Sequence, residues 1–175
     1  MLSDIFSSDK RIKILEYVLY QDYCTVSTVA RELFLSKGFV STYLLMLNKK
    51  GILRKSKGYQ PTNTPQTRII KILLNVNKID LSKIKKPFIK GIGLYGSWAN
   101  GTNTIKSDLD IWIKTEKYPD EKELATLSKI LREMLHTEIQ LLVLTPQKRE
   151  QIKKDTPFYC SLRYTSLLLW GEPID

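Results

Sequence analysis

The chain has 175 residues, of which 42% are hydrophobic and 26% are charged. These values are ordinary for a folded globular protein, and they exclude a disordered, collagen-like or low-complexity chain. No apolar run approaches the roughly 18 residues that span a bilayer, and the N-terminus lacks the basic-then-apolar order of a signal peptide. We therefore expect a cytoplasmic protein without membrane contact. Two distant cysteines and a single histidine favour neither a disulfide framework nor a histidine-rich metal site.

The positive charge is concentrated in the first half of the chain. The net charge is +10. Residues 1–90 contain 17 Lys and Arg against 6 Asp and Glu, whereas residues 91–175 contain 11 against 12. This asymmetry has two interpretations, a polyanionic partner such as nucleic acid or a soluble protein from a lysine-rich proteome.

The first 60 residues have the pattern of three helices followed by a hairpin. Ser8 and Ser36 are N-cap signals, and apolar residues recur at helical spacing over 10–20, 25–34 and 36–48. Gly51 is a C-cap glycine that ends the third helix. Residues 52–55 and 59–60 then predict two short strands around a Ser-Lys-Gly turn.

The stretch TVSTVARELFLSKGFVSTYLLMLNKKGILRKSKGYQPT resembles a winged helix-turn-helix domain, which we assign to residues 1–64. The resemblance implies DNA contacts from the early turns of the third helix and from the wing. The expected contact residues form a helix cluster (Lys37, Ser41 and Thr42) and a hairpin cluster (Arg54, Lys55 and Lys57). The alternative is that this domain contacts another protein or the second domain of the chain. Residues 65–87 are a connecting helix and linker.

The second half carries the residues that predict chemistry. A glycine-rich strand over 88–95 is followed directly by Gly96 and Ser97, and a second strand opens with Asp108-Leu109-Asp110. Because side chains alternate along a strand, both carboxylates point to one face, about 7 Å apart at the Cα level. A helix over 119–135 and a third strand over 137–145, which begins with Glu138, complete the pattern.

The segment GSWANGTNTIKSDLD is similar to the signature of minimal nucleotidyltransferases of the DNA polymerase beta superfamily. That signature is Gly-Ser, ten residues, then Asp-x-Asp. The resemblance implies a nucleotidyltransferase domain at residues 88–175, built as a small mixed sheet with flanking helices. The whole chain is then an α+β and α/β protein, a winged helix-turn-helix of three helices plus a β-wing followed by this sheet.

The family resemblance also implies a role for each site residue. Gly96 and Ser97 are expected to hold the phosphates of an NTP, with ATP the expected nucleotide. Asp108, Asp110 and Glu138 are expected to bind two Mg²⁺ ions during transfer of NMP to a hydroxyl of a protein, a nucleic acid or a small molecule. Glu138 is also readable as an exposed residue, and Glu133 on the preceding helix competes with it.

Some residues and functions keep two interpretations at this stage. Trp98 and Trp112 fit either stacking on a base or a place in the core. The chain is an active transferase, a DNA-binding regulator that senses nucleotide, or an inactive domain retained for complex formation. The resemblance further implies a nucleotide partner, a separate HEPN-type protein as in antitoxin relatives, and a homodimer as in winged-helix regulators.

Overall fold

A computed structural model describes residues 2–175 of the chain, which divide into two compact units with the boundary between Lys71 and Ile72. The boundary falls within the fifth helix. None of the helices in this described part combines the length and hydropathy needed to cross a bilayer.

The N-terminal unit consists of short helices followed by a hairpin. Its elements are α1 (Leu2–Ile5), α2 (Asp9–Val18), α3 (Val26–Glu32), α4 (Lys37–Lys49), β1 (Leu53–Lys55), β2 (Tyr59–Pro61) and the first half of α5 (Pro65–Asn77). The expected serine caps are present, since Ser8 accepts from the Arg11 amide and Ser36 from the Phe39 amide. The three predicted helices and the hairpin are present in the predicted order, α1 is an additional short helix, and the winged-helix assignment stays a prediction.

The core of this unit lies between α2, α3 and α4. Leu15, Val29, Leu44 and Leu47 are at most 1% exposed. The hairpin is anchored because Tyr59 and Cys24 exchange two backbone hydrogen bonds of 2.8 and 2.9 Å. The basic side chains of the hairpin therefore project from a fixed support.

The C-terminal unit is a mixed four-stranded sheet with helices on its faces. Its elements are α6 (Leu81–Ile84), β3 (Ile89–Leu94), α7 (Gly96–Asn100), β4 (Leu109–Thr115), α8 (Glu121–Leu135), β5 (Ile139–Leu144), α9 (Pro146–Lys154), α10 (Thr156–Thr165) and β6 (Leu167–Gly171). The strand order is β5-β4-β3-β6, in which only β4 and β5 are parallel. The expected small mixed sheet is confirmed, and β6 is an additional strand.

Two apolar clusters cover the two faces of this sheet. Alternate residues of β4, namely Leu109, Ile111 and Ile113, pack with Leu127 and Leu131 of α8. Trp112, on the other face of β4, packs with residues of α9 and α10. The predicted acids lie at the start of β4, on the same face of the sheet as Trp112.

Candidate functional site

Asp108 and Asp110, called the acid pair below, lie where β4 begins. Asp110 is half-buried and Asp108 is exposed, whereas Leu109 between them is 0% exposed. This alternation places both carboxylates on one face of the sheet, because neighbouring side chains along a strand point to opposite faces. The sequence expectation for the orientation of these two residues agrees with the structure.

The turn between β3 and α7 brings Gly96 against Asp110. The Tyr95 amide donates to the Asp110 carbonyl at 3.1 Å, so the turn follows the start of β4. Gly96 has φ +62°, which L-residues rarely adopt, and a Cβ built there would overlap the Asp110 carboxylate. Glycine is therefore required both by the backbone conformation and by the close approach of the acid. Ser97 follows in the first turn of α7 and is half-buried.

A pair of buried asparagines fixes the loop that joins α7 to β4. The Asn75 side-chain amide donates to the Trp98 carbonyl at 2.9 Å and to Asn103 Oδ1 at 3.0 Å. Asn103 Nδ2 returns a hydrogen bond of 3.2 Å to Asn75 Oδ1. Both asparagines are at most 1% exposed. This network connects α5 to the segment between Ser97 and Asp108 at two points, Trp98 and Asn103.

The negative charge of the acid pair is not balanced by a Lys or Arg partner within residues 2–175. Partial burial, and then the nearby Asp108 carboxylate, raise the pKa of Asp110 above its ordinary value. Within residues 2–175, neither acid forms a salt bridge with a Lys or Arg. Two adjacent carboxylates without a cationic partner fit a hard divalent cation such as Mg²⁺, which prefers oxygen ligands. The donor set of this site therefore suits the metal that the sequence analysis expects.

Glu138 does not join the acid pair in the structure. Its Oε2 accepts a hydrogen bond of 3.0 Å from the Arg132 guanidinium, and the Glu138 side chain is 71% exposed. Instead, Gln140 Nε2 donates to Asp108 Oδ2 at 3.0 Å. No group of three His, Cys, Asp or Glu side chains suited to a metal occurs in the described chain. Two of the three expected acids are brought together here.

An open cleft of about 720 Å³ lies beside Asp108. It is bounded by the loop before β4, the end of α8 and the residues that lead into β5, and its lining side chains are Ile105, Lys106, Asp108, Arg132, Glu133, His136, Thr137 and Glu138. Charges of both signs line this cleft. Because Gly96 lies against Asp110 and this cleft adjoins Asp108, the acid pair lies between the Gly-Ser turn and the cleft.

The surroundings of the two tryptophans and of Glu133 decide between the interpretations that the sequence left open for them. Trp98 and Trp112 are 5% and 1% exposed and belong to the apolar clusters of the sheet. Their place in the core leaves no ring face for stacking on a base. Glu133 forms an exposed ion pair of 3.8 Å with Lys129 on α8.

The residues expected to contact DNA all lie in the N-terminal unit. In the helix cluster, Lys37 and Thr42 are exposed and Ser41 is half-buried, all within the first two turns of α4. The hairpin cluster is exposed on β1 and the turn that follows, and Arg54 donates to Gln60 Oε1 at 3.0 Å. Both clusters are thus accessible to solvent on the N-terminal unit.

Sequence reasoning missed the residues that support the site from a distance. Asn75 lies in a helix far along the chain from the motif, and Asn103 lies among polar loop residues, so neither had a distinctive signal. Gln140 depends on the pairing of β4 with β5, which places it opposite Asp110. A list of polar residues on the third strand would have included Gln140, but only the register selects it.

Comparisons with known proteins agree with this geometry. The family model "Polymerase beta, Nucleotidyltransferase" matches residues 77–158. A putative protein adenylyltransferase of Methanocaldococcus jannaschii is 32% identical over 85 residues, which are 49% of this chain and 85% of that protein. The matched family segment contains the Gly-Ser turn and the acid pair.

Two solved structures are more distant. A toxin-antitoxin crystal structure with AMP-PNP is 23% identical, with a TM-score of 0.40, over 62% of this chain and 75% of that chain. A tri-AMPylated Shewanella oneidensis HEPN toxin in complex with MNT antitoxin gives 21% identity and a TM-score of 0.40, over 58% and 73%. At these TM-scores we base no argument on either similarity.

The family model covers most of the unit that carries the acid pair. Its range, residues 77–158, includes the strand, turn and strand from which the site is built. The chain belongs to the polymerase beta nucleotidyltransferase family and is a minimal nucleotidyltransferase.

Proposed function

We propose that this nucleotidyltransferase moves AMP from ATP to a hydroxyl group of a protein in a Mg²⁺-dependent reaction. The observation that carries the proposal is the acid pair on one face of β4, directly beside the Gly96 turn. Adenylyl transfer to protein is favoured by the name of the M. jannaschii relative. An uncompensated carboxylate pair beside a tight glycine turn suits a metal-bound triphosphate.

Each residue of the site has a proposed task. The Gly96 turn admits a phosphate close to the backbone, and the Ser97 hydroxyl donates to a phosphate oxygen. The acid pair holds the Mg²⁺ ions, which when bound neutralise charge on the triphosphate and favour loss of the acceptor proton. The sequence-based assignment of Glu138 as a third acid requires its ion pair with Arg132 to open.

The bonds exchanged follow from in-line displacement. The acceptor oxygen forms a bond to the α-phosphorus, the bond from that phosphorus to the bridging oxygen of the β-phosphate breaks, and pyrophosphate leaves. The acceptor proton goes to solvent. Because the triphosphate is assigned to the Gly96 side of the acid pair, the cleft beside Asp108 is the proposed approach for the acceptor.

Nucleotide binding is tested by melting temperature. We expect each suitable NTP to raise the melting temperature only when Mg²⁺ is present, because ligand bound to the folded state stabilises it by mass action. The Asp108→Asn/Asp110→Asn double variant should show no such rise. An equal rise in the double variant would contradict metal-assisted nucleotide binding at this site.

The acceptor is sought by label transfer. The wild type is incubated with Mg²⁺ and α-labelled ATP in an extract of its host, and a separate HEPN-type protein is the first candidate to add in purified form. Label on a protein, with none in the double variant, supports the proposal. Label on a nucleic acid or a metabolite would replace the protein acceptor by that class.

A second proposed function is DNA binding by the N-terminal unit, as a regulator that couples DNA to nucleotide. The net charge of +11 over residues 1–90 and the solvent-exposed helix and hairpin clusters support it. No Arg, Asn or Gln lies in the first turns of α4, so base specificity is expected to be low. A homodimer belongs to the same proposal, and it is tested by light scattering with and without DNA.

A further inference from the structure

The strand beside the acid pair presents Gln140 at the site. β4 and β5 are parallel and in register, and Asp110 is paired with Gln140. Paired residues of neighbouring strands point to the same face of a sheet, and residues two apart on one strand share that face. Gln140 and Glu138 therefore both lie on the acid face of the sheet, and their contacts decide which of them serves the site.

The contacts favour Gln140. Its amide nitrogen Nε2 donates to Asp108 Oδ2 at 3.0 Å. The Glu138 carboxylate lies 3.0 Å from the Arg132 guanidinium and so already has a cationic partner. The side chain on β5 that reaches the acid pair is thus a neutral amide, and the nearby acid, Glu138, is paired with Arg132.

An amide in this position has two physical effects. By donating to one carboxylate oxygen, it limits rotation of Asp108 and leaves the other oxygen, Oδ1, for a ligand. Hydrogen-bond partners of metal ligands commonly change metal affinity by about 10- to 100-fold. In addition, a neutral side chain leaves the site with two protein charges rather than three, so cation binding relies more on the phosphates of the nucleotide.

We propose that Gln140 is a positioning residue, which orients the Asp108 carboxylate for the cation, and that Glu138 is not a ligand. The inference rests on the proposed function, because it requires the acid pair to hold the cation. The third side chain of the site, beside Asp108 and Asp110, is then the amide of Gln140. The acceptor hydroxyl consequently loses its proton without a carboxylate from β5.

The test measures cation binding rather than turnover. Free Mn²⁺ is followed by its EPR signal during titration of the full chain with a fixed, saturating concentration of a non-hydrolysable ATP analogue. We expect Gln140→Leu to raise the Mn²⁺ dissociation constant by roughly 10-fold, at an unchanged melting temperature. Gln140→Glu should bind Mn²⁺ at least as tightly as the wild type, because a carboxylate adds charge where the amide donor is removed. If Gln140 had only a structural role, both variants would bind Mn²⁺ more weakly than the wild type.

Three further variants separate the outcomes. Gln147→Leu removes an exposed glutamine from α9 and should leave Mn²⁺ binding unchanged. Equal Mn²⁺ affinity in Gln140→Leu and the wild type would overturn the inference, as would a loss of affinity in Glu138→Gln as large as that in Asp110→Asn. If Asp110→Asn itself binds Mn²⁺ like the wild type, the proposed metal site is wrong and the inference falls with it.

Discussion

At the scale of single residues, Asp110 is held in an unfavourable state when no cation is bound. Partial burial and the neighbouring Asp108 carboxylate both raise the pKa of Asp110. A raised pKa means that the folded state binds the proton more tightly than the unfolded state does. The charged form therefore destabilises the metal-free fold at neutral pH, and protonation removes that penalty as the pH falls.

We predict that Asp110→Asn raises the melting temperature of the metal-free protein at pH 7. The penalty is absent below the unfolded pKa, near 3.8, and grows as the pH rises through the higher folded pKa. The difference between variant and wild type should therefore shrink as the pH is lowered towards 4. Thermal melts in EDTA across this range measure the difference, and a variant that is less stable at pH 7 would contradict the account.

We predict that Gly96→Ala destabilises the C-terminal unit and abolishes nucleotide binding. The new methyl group would meet the Asp110 carboxylate, and alanine would have to adopt φ +62°, a strain that costs about 1–3 kcal/mol. The matched control is Gly38→Ala in α4, where a Cβ would meet nothing within 4 Å. That control should be neutral or more stable by up to about 1 kcal/mol. The free energy of unfolding of both variants is measured in urea. Equal stabilities of Gly96→Ala and Gly38→Ala would refute the steric argument.

At this scale the sequence identifies the motif residues, but not the residues such as Gln140 that contact them. Gly96 and Asp110 could be selected because the spacing of Gly-Ser and Asp-x-Asp resembles the signature of minimal nucleotidyltransferases. The sequence points to Glu138 rather than Gln140 because acids are the usual metal ligands. The choice depends on the pairing of β4 with β5 and on the contact of Glu138 with Arg132, which are both tertiary.

At the scale of elements, the turn between α3 and α4 is strained. Phe34 has φ +54° although it is not glycine, and its side chain is 95% exposed. Left-handed backbone costs a non-glycine residue about 1–2 kcal/mol, and the exposed ring gains nothing from burial. The local sequence therefore keeps an aromatic residue where glycine would be more stable.

We predict that Phe34→Gly stabilises the N-terminal unit by roughly 0.5–1 kcal/mol, since relief of strain exceeds the entropy that glycine loses on folding. Phe34→Ala, which keeps the strained φ, should change stability little. Native-state hydrogen exchange at amides of α3 and α4 reports the difference. Faster exchange in the glycine variant would show that the ring stabilises the turn.

At this scale, elements with a strong local pattern were predictable. The cap serines and the helical spacing of apolar residues placed α2, α3 and α4, because both signals are local. β6 was not predicted, since the run Leu-Leu-Leu-Trp lacks alternation and a short apolar run fits either helix or strand. It becomes a strand because it pairs with β3 at the edge of the sheet.

At the scale of the whole molecule, charge and chemistry are divided between the two halves of the chain. The net charge of +11 lies in residues 1–90, and the nucleotidyltransferase signature lies in residues 91–175. The sequence could predict this division because composition and motifs are read without tertiary contacts. The arrangement favours a polyanion partner for the first half that is separate from the nucleotide of the second half.

We predict that replacing the hairpin cluster by alanine weakens binding to duplex DNA uniformly across sequences. The slope of log affinity against log salt should fall by about one unit for each phosphate that the hairpin no longer neutralises. The control removes three exposed lysines from the C-terminal unit, namely Lys117, Lys122 and Lys129. Fluorescence anisotropy between low and moderate salt measures both variants. Equal slopes in the wild type and the hairpin variant would exclude phosphate binding by this cluster.

The central claim is that the acid pair supports transfer of a nucleotidyl group, and the choice of labelled phosphate tests it most directly. Wild type and the Asp108→Asn/Asp110→Asn variant are incubated in parallel with Mg²⁺, host extract and ATP labelled at the α- or the γ-phosphate. The account predicts protein-bound label from α-labelled ATP and wild type alone, with γ-label released as pyrophosphate. Transfer of the γ-label, or transfer of the α-label by both proteins alike, would contradict it.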